Sequence, residues 1–207
     1  MLNTYGRAFA TRVFTPVARF LLRCGVTPDA VTIAGTVGVV ACGLGLYTTG
    51  HLFWGSLGAT LFVLSDTIDG TMARIRGSSG RWGAYLDSCL DRVADAALFG
   101  GLVVWFARQG ASDLTAGLAL ACLVLGGIVS YVKARAEGLG YTANVGLAER
   151  GERIVAVLVG AGFVGLGVPL VFLQVVLALL AVASAVTVVQ RMATVRRQAL
   201  AAPPAGA

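Results

Sequence analysis

Four aspartates stand at helical spacing in two otherwise apolar stretches of the chain. Asp66 and Asp69 are three residues apart, and Asp87 and Asp91 are four apart, so each pair projects from one face of its helix. Four carboxylates brought together at membrane depth would repel each other strongly unless a cation neutralised them. Oxygen ligands favour Mg²⁺, Mn²⁺ or Ca²⁺ over zinc or copper. The spacing therefore predicts a divalent-metal site, and a pair of such ions would suit phosphoryl transfer.

The composition shows in which medium these acids lie. Of 207 residues, 57% are hydrophobic and 13% are charged, against about 25% charged residues in an ordinary soluble domain. With a mean hydropathy of +0.83, the chain is predicted to be an all-α polytopic membrane protein. The net charge of +6 is spread as membrane proteins place it, so the expected partner is a lipid surface and not nucleic acid. The four cysteines form no CxxC motif and are expected to be buried thiols.

The hydropathy pattern predicts six transmembrane helices after an N-terminal interfacial helix. Residues 1–24 interleave arginines with apolar side chains, which is typical of an amphipathic helix lying on the membrane surface. Four spans are predicted at about 30–49, 52–76, 82–107 and 114–136. The uncharged run 154–189 would measure about 54 Å as one helix, and a Gly/Pro segment at 165–169 interrupts it, so it is interpreted as two spans. We expect one membrane domain over 1–207, with the six-helix bundle at 25–197 and a tail at 198–207.

The basic residues set the predicted orientation. With the N-terminus inside and the loops assigned to alternate sides, Arg108 is the one basic residue of 16 that falls outside. The positive-inside rule then predicts cytosolic N- and C-termini. Because both acid pairs lie near the cytosolic ends of their spans, we expect an active site on the cytosolic side of the plasma membrane.

The two acid pairs belong to one longer motif. Residues 66–91 fit the pattern D-x-x-D-G-x-x-A-R-x(8)-G-x(3)-D-x(3)-D at every defined position. This motif resembles the signature of the CDP-alcohol phosphotransferase family, and the six-helix topology extends the resemblance over nearly the whole chain. The resemblance implies transfer of a phosphate-linked alcohol from a CDP-activated donor to an acceptor hydroxyl, with release of CMP.

The same resemblance implies roles for individual residues. Asp66, Asp69 and Asp87 would hold two Mg²⁺ ions, with Mn²⁺ as the alternative, and Asp91 would help to bind the second ion and act as the catalytic base. The residues implied to contact the donor lie at the start of the first span and within the motif: Asp29, Ala30, Val31, Thr32, Asp66, Gly70, Ala73, Arg74, Gly80 and Gly83.

Basic residues on the predicted cytosolic side indicate what kind of acceptor substrate could bind. Lys133, Arg153 and Arg191 come from three segments and would lie at one membrane level, where they could cradle a phosphate. Anchoring by the positive-inside rule is the other interpretation. The stretches 130–138 and 146–153 resemble the phosphatidylinositol phosphate synthases that actinobacteria contribute to the family. That likeness implies CDP-diacylglycerol as donor and inositol phosphate as acceptor, whose phosphate these three cations would bind.

Two alternatives remain open from the sequence. Glycerol 3-phosphate, the acceptor of phosphatidylglycerophosphate synthases in the same family, needs a similar cationic pocket. Four intramembrane aspartates would also suit a divalent-cation transporter, but the outer halves of both acidic spans are apolar and offer no polar path across the membrane. Membrane lipids are further expected partners, and the family likeness favours a homodimer.

Overall fold

The structure is a computed structural model, and every regular element in its described part is helical. It describes residues 14–77, 80–110, 112–147 and 149–201, without the side chain of Asp66. Residues 14–23 (α1) are helical, and α2 (Pro28–Val40) continues as a π-helix over Ala41–Leu46 and a 3₁₀ turn over Tyr47–Thr49. The later helices are α3 (Leu52–Val63), α4 (Ser65–Arg76), α5 (Arg81–Arg108), α6 (Asp113–Gly138), α7 (Arg150–Gly165) and α8 (Leu170–Ala201).

Within the described residues, three helical stretches are long and apolar enough to cross a membrane. They are Pro28–Thr49, Asp113–Gly138 and Leu170–Ala201, which coincide with the first, fourth and last predicted spans. The other predicted spans are helical too, but the second is divided at Leu64 into α3 and α4, and α7 has only 16 residues. The all-helical class is therefore confirmed, with three candidate membrane spans in the described residues. Six crossings and a surface-lying helix at 1–24 stay predictions, with residues 1–13 outside the described part.

The long uncharged run is broken where the sequence predicts. α7 ends at Gly165, and Gly167 has φ 97°, a left-handed conformation that favours glycine. Pro169 follows, and its ring and missing N–H prevent the helix from continuing through it. α8 extends to Ala201, so the predicted tail begins later than residue 198, and residues 202–207 lie outside the described part.

The chain divides into two compact units, Met1–Gly101 and Leu102–Ala207. In the first unit α2 packs against α3 and α4, and Gly43 lies so close to α5 that a Cβ there would be 2.5 Å from the Ala97 carbonyl oxygen. In the second unit α8 packs along α6 and also contacts α7. The prediction of one membrane domain over the whole chain stays a prediction.

The expectation of four buried cysteines is half right. Cys42 and Cys122 are buried in the first and second units, whereas Cys24 and Cys89 are exposed. Cys24 directly follows the surface-exposed end of α1, and Cys89 lies on the exposed first part of α5. Neither position packs against another helix strongly enough to cover the thiol.

Candidate active site

The predicted acid pairs lie on α4 and α5 of the first unit. Asp69 is only 8% exposed, Asp87 is exposed and Asp91 is half-buried. Asp66 lies one turn before Asp69 on α4, and its side chain is outside the described part. Among the side chains that are described, no three acidic, imidazole or thiol groups approach closely enough to hold a metal ion. The four-aspartate metal site therefore stays a prediction.

Asp69 is tied to the beginning of α2. Thr32 Oγ1 donates to Asp69 Oδ2 at 2.5 Å, a short distance typical of a hydroxyl bonded to a carboxylate. Thr27 caps α2 by accepting from the backbone N–H of Ala30 at 3.2 Å, and Pro28 opens the helix. These features fix the first turn of α2, so Thr32 is held against the motif.

A second contact joins the beginning of α2 to α5. Trp82 Nε1 donates to Asp29 Oδ2 at 3.2 Å, and a Cβ on Gly83 would be 3.9 Å from Asp29 Oδ1. Two residues of the predicted donor segment, Asp29 and Thr32, are thus brought to motif residues on two different helices. Trp82 was not predicted as a site residue, and its position directly before the motif glycine was the signal available.

Space is open beside Asp69 on α4. A Cβ on Gly70 would meet no heavy atom of the described residues within 4 Å. Arg74, one turn further, is exposed, and its Nη2 donates to Thr71 Oγ1 at 3.0 Å. Gly77 ends α4 in a left-handed conformation with φ 65°, which is a common helix terminator. Of the other predicted donor contacts, Ala30 and Gly80 are exposed, and Val31 and Ala73 are half-buried.

Two neighbours of Asp91 were not predicted as site residues. Arg92 Nη2 lies 3.8 Å from Asp91 Oδ2 and 3.4 Å from Asp95 Oδ2. Asp95 is 6% exposed, and a buried carboxylate is stabilised by a nearby guanidinium. The spacing of four residues from Asp91 to Asp95, which repeats that from Asp87 to Asp91, was the signal that could have identified it.

The donor atoms on α4 and α5 fit a hard divalent cation. The predicted ligands are all carboxylate oxygens, which Mg²⁺ and Mn²⁺ prefer. The surface of α4 at Gly70, directly after Asp69, is open to an added Cβ, and Arg74 lies one turn further along the helix. The residue types present therefore suit a metal-assisted reaction at a diphosphate.

Two of the three predicted acceptor residues are deeply buried in the second unit. Arg153 is 1% exposed and Arg191 is 4% exposed, whereas Lys133 is half-buried with Nζ 3.9 Å from Glu137 Oε1. A Cβ on Gly126 would lie 3.1 Å from Arg153 Nε and 3.4 Å from its Cζ. The glycine thus allows the guanidinium to rest directly on α6.

Arg191 donates two of its hydrogen bonds to backbone carbonyls. Its Nε donates to the Val145 carbonyl at 2.9 Å, and its Nη1 donates to the Val129 carbonyl at 2.7 Å. A guanidinium has five N–H donors, so these two bonds leave others for a ligand. Sequence spacing could not reveal this role, because the partners are 46 and 62 residues away.

The three cations meet one face of α6. Arg153 rests on Gly126 and Arg191 bonds Val129, while Lys133 belongs to α6 itself. Positions 126, 129 and 133 lie on successive turns of one helical face, which spans about 10 Å at 1.5 Å per residue. Burying a guanidinium group is costly unless it is paired with an anion or hydrogen-bonded. The arrangement suits binding of a phosphorylated ligand.

Comparisons with known proteins agree with this chemistry. A phosphatidylinositol phosphate synthase of Streptomyces avermitilis is 52% identical, with 100% of this chain and 87% of the relative covered. One from Mycobacteroides abscessus is 48% identical over 95% of this chain and 89% of the relative.

Two crystal structures of the Mycobacterium tuberculosis phosphatidylinositol phosphate synthase are also similar. The structure with CDP-DAG bound has a TM-score of 0.83 at 47% identity and covers 89% of this chain and 94% of that one. The complex with manganese and citrate has a TM-score of 0.84 at 45% identity and covers 88% of each chain.

The family comparison covers most of the chain. The sequence profile described as CDP-alcohol phosphatidyltransferase matches residues 25–189. This range includes the four motif aspartates and Arg153, while Arg191 lies two residues beyond it. This result favours a transferase over the cation transporter left open above. The chain belongs to the CDP-alcohol phosphatidyltransferase family.

Proposed function

We propose that this enzyme transfers the phosphatidyl group of CDP-diacylglycerol to a hydroxyl of inositol phosphate. The products are phosphatidylinositol phosphate and CMP. The observation that carries the choice of acceptor is the row of three cations along α6, because two buried guanidinium groups suit an acceptor that bears a phosphate. The names of the relatives, at 52% and 48% identity, support inositol phosphate over glycerol 3-phosphate.

The first unit supplies the groups that would bind the donor. Asp29 and Thr32 at the start of α2 adjoin Gly83 and Asp69, and Gly70 leaves open space beside them. Arg74 would donate to a phosphate oxygen of the diphosphate. CDP-diacylglycerol as the donor is further supported by the similar structure with CDP-DAG bound.

We propose Asp66, Asp69, Asp87 and Asp91 as ligands of two Mg²⁺ ions, with Mn²⁺ able to replace them. When bound, these ions would neutralise the negative charge that develops on the departing CMP. The relative crystallised with manganese supports a divalent metal. The four carboxylates would hold the two metal ions next to each other. Arg92, which lies near both Asp91 and Asp95, would orient Asp91 on α5.

Asp91 is proposed as the base. Its carboxylate accepts the proton of the acceptor hydroxyl as that oxygen forms a bond to the phosphorus of the phosphatidyl group. The bond from this phosphorus to the oxygen that it shares with CMP breaks, and CMP leaves with that oxygen. Asp91 is half-buried, which is compatible with access by a polar acceptor.

The membrane arrangement is part of the proposal. Six crossings, an N-terminal helix on the surface and a cytosolic active site in the plasma membrane follow from the positions of the charges. The three apolar helical stretches support the spans that they cover. A homodimer is proposed from the family likeness.

The acceptor is tested with the purified protein in detergent–lipid micelles. CMP release from CDP-diacylglycerol is measured with inositol 1-phosphate, free inositol, glycerol 3-phosphate or serine, at fixed Mg²⁺. We expect efficient turnover with inositol 1-phosphate and loss of activity in Asp91→Asn. In Lys133→Ala and Arg153→Ala, the KM for inositol phosphate should rise more than the KM for the donor. Turnover with glycerol 3-phosphate alone would overturn the proposed acceptor.

A further inference from the structure

One face of α8 holds the loop between α6 and α7. Thr187 Oγ1 accepts from the backbone N–H of Leu147 at 3.0 Å while donating to the Ala183 carbonyl of its own helix at 2.7 Å. Arg191, one turn later, bonds the Val145 carbonyl. Because Thr187 is fully buried, its hydroxyl fixes the end of this loop away from competing solvent.

The beginning of the loop is held by the same helix. Gln198 Oε1 accepts from the Thr142 backbone N–H at 3.0 Å, and Gln198 Nε2 donates to the Thr142 carbonyl at 2.6 Å. Residues 187, 191 and 198 are four and seven apart and therefore share one face of α8. The loop is thus attached by side chains of one helix at its start, middle and end.

Packing reinforces the attachment at Gly146. This residue has φ 146°, and a Cβ added to it would collide with the methyl group of Thr187. Ala143 in the same loop is completely buried. Thr187 therefore contacts the loop both through its hydroxyl and through its methyl group, and the two contacts can be removed separately.

The loop leads directly into the first turn of α7. Glu149 caps this helix in a capping box, with its backbone N–H donating to Glu152 Oε2 at 3.0 Å. Such a box fixes the direction in which a helix starts. Arg153 directly follows Glu152 in this first turn. The position of the loop therefore determines where α7 places the Arg153 guanidinium, which rests on Gly126.

We propose that Thr187 and Gln198 are positioning residues for the acceptor site. They act through the α6–α7 loop, which they hold so that Arg153 meets the acceptor phosphate. Thr187 has the larger effect, because it is buried and lies at the end of the loop next to α7, whereas Gln198 is less buried and lies at the start. This inference rests on the proposed function, since it concerns the same acceptor.

The first test is Thr187→Val, which removes the hydroxyl and keeps the shape of the side chain. Loss of one hydrogen bond is expected to raise the KM for inositol 1-phosphate about three- to tenfold. The KM for CDP-diacylglycerol should stay within about twofold of the wild type, because the hydrogen bond that is removed joins Thr187 to the α6–α7 loop and to none of the residues proposed to bind the donor. Thr194→Val is the matched control, since the Thr194 hydroxyl donates to Gln190 within α8.

The second test separates the methyl contact from the hydrogen bond. Gly146→Ala forces a methyl group against Thr187 and also strains the backbone, which has φ 146°, so it should raise the same KM. Adding Thr187→Ser removes the opposing methyl group but keeps the hydroxyl, and the double variant should recover part of the lost acceptor affinity. An independent, additive effect of the two substitutions would contradict direct coupling between loop and helix.

Hydrogen exchange of the full-length protein provides a readout that does not depend on turnover. Thr187→Val should accelerate exchange at the Leu147 amide at least about threefold relative to Thr194→Val. If wild-type protein uses inositol phosphate but Thr187→Val leaves its KM unchanged, or raises both KM values equally, the inference is wrong and the proposed function stands. If wild-type protein does not use inositol phosphate, the proposed function fails, and unchanged Leu147 exchange would show that Thr187 does not hold the loop either.

Discussion

Two adjacent glycines on α6 allow a sharp test of how Arg153 is placed. Gly126 lies beneath the Arg153 guanidinium, with an added Cβ 3.1 Å from Nε, 3.4 Å from Cζ and 3.5 Å from Nη2. A Cβ on Gly127 would meet no heavy atom within 4 Å. Both substitutions to alanine should favour the helix by about 1 kcal/mol, so they differ chiefly in the contact with Arg153.

The expected magnitude follows from the contact distances. In Gly126→Ala the guanidinium must retreat by a few tenths of an ångström, and at 1% exposure it has little room to do so. A hydrogen bond to a charged group contributes about 1.5–3 kcal/mol, and losing about 1 kcal/mol of it corresponds to roughly a fivefold weaker interaction. We therefore expect the KM for inositol 1-phosphate to rise about fivefold in Gly126→Ala.

The assay compares both variants with the wild type. CMP release is measured against inositol 1-phosphate at saturating CDP-diacylglycerol, and then with the two substrates exchanged. Gly127→Ala should raise the unfolding temperature and leave both KM values unchanged. If Gly126→Ala shows the kinetics of Gly127→Ala, the contact between Arg153 and α6 does not position the acceptor, and the reasoning is refuted.

Three further predictions concern the first unit. Asp95→Asn should lower kcat about tenfold and raise the Mg²⁺ concentration needed for half-maximal rate, because Arg92 is then drawn toward Asp91 and weakens its interaction with protons and cations; a wild-type kcat would contradict this role. Trp82→Phe keeps the aromatic ring but removes the N–H that donates to Asp29, and should raise the KM for CDP-diacylglycerol about threefold without changing that for the acceptor, as steady-state kinetics can show. Treatment with EDTA should abolish CMP release, and added Mg²⁺ or Mn²⁺ should restore it; activity that persists in the chelator would argue against a divalent ion.

Local patterns in the sequence predicted most of the helical segments, with the division of the second span at Leu64 as the exception. The uncharged run after residue 154 had to bend because of its length, and the glycines and proline at 165–169 supplied the place. The fixed spacing of the four aspartates likewise specified which residues share a helical face. Periodicity and turn chemistry act over a few residues, so a single sequence carries them well.

Contacts between distant helices were not predictable in the same way. The division between α3 and α4 at Leu64 is not marked by a glycine or proline, and both helices pack against α2. Arg191 was interpreted as a phosphate ligand or a membrane anchor, but in the structure it donates to the carbonyls of Val129 and Val145. No local sequence pattern indicated that Gly126 would lie under the Arg153 side chain. Such pairs are set by the packing of helices far apart in the chain, which spacing along one helix does not encode.

The lipid product formed by the wild-type protein identifies the acceptor directly. Wild-type protein is incubated with CDP-diacylglycerol, Mg²⁺ and an equal mixture of inositol 1-phosphate and glycerol 3-phosphate, and the lipids are analysed by mass spectrometry while CMP is quantified. We expect phosphatidylinositol phosphate as the main product, formed in equal amount to CMP and lost in Asp91→Asn. Phosphatidylglycerophosphate as the main product, or lipid formation that is unaffected in Asp91→Asn, would contradict it.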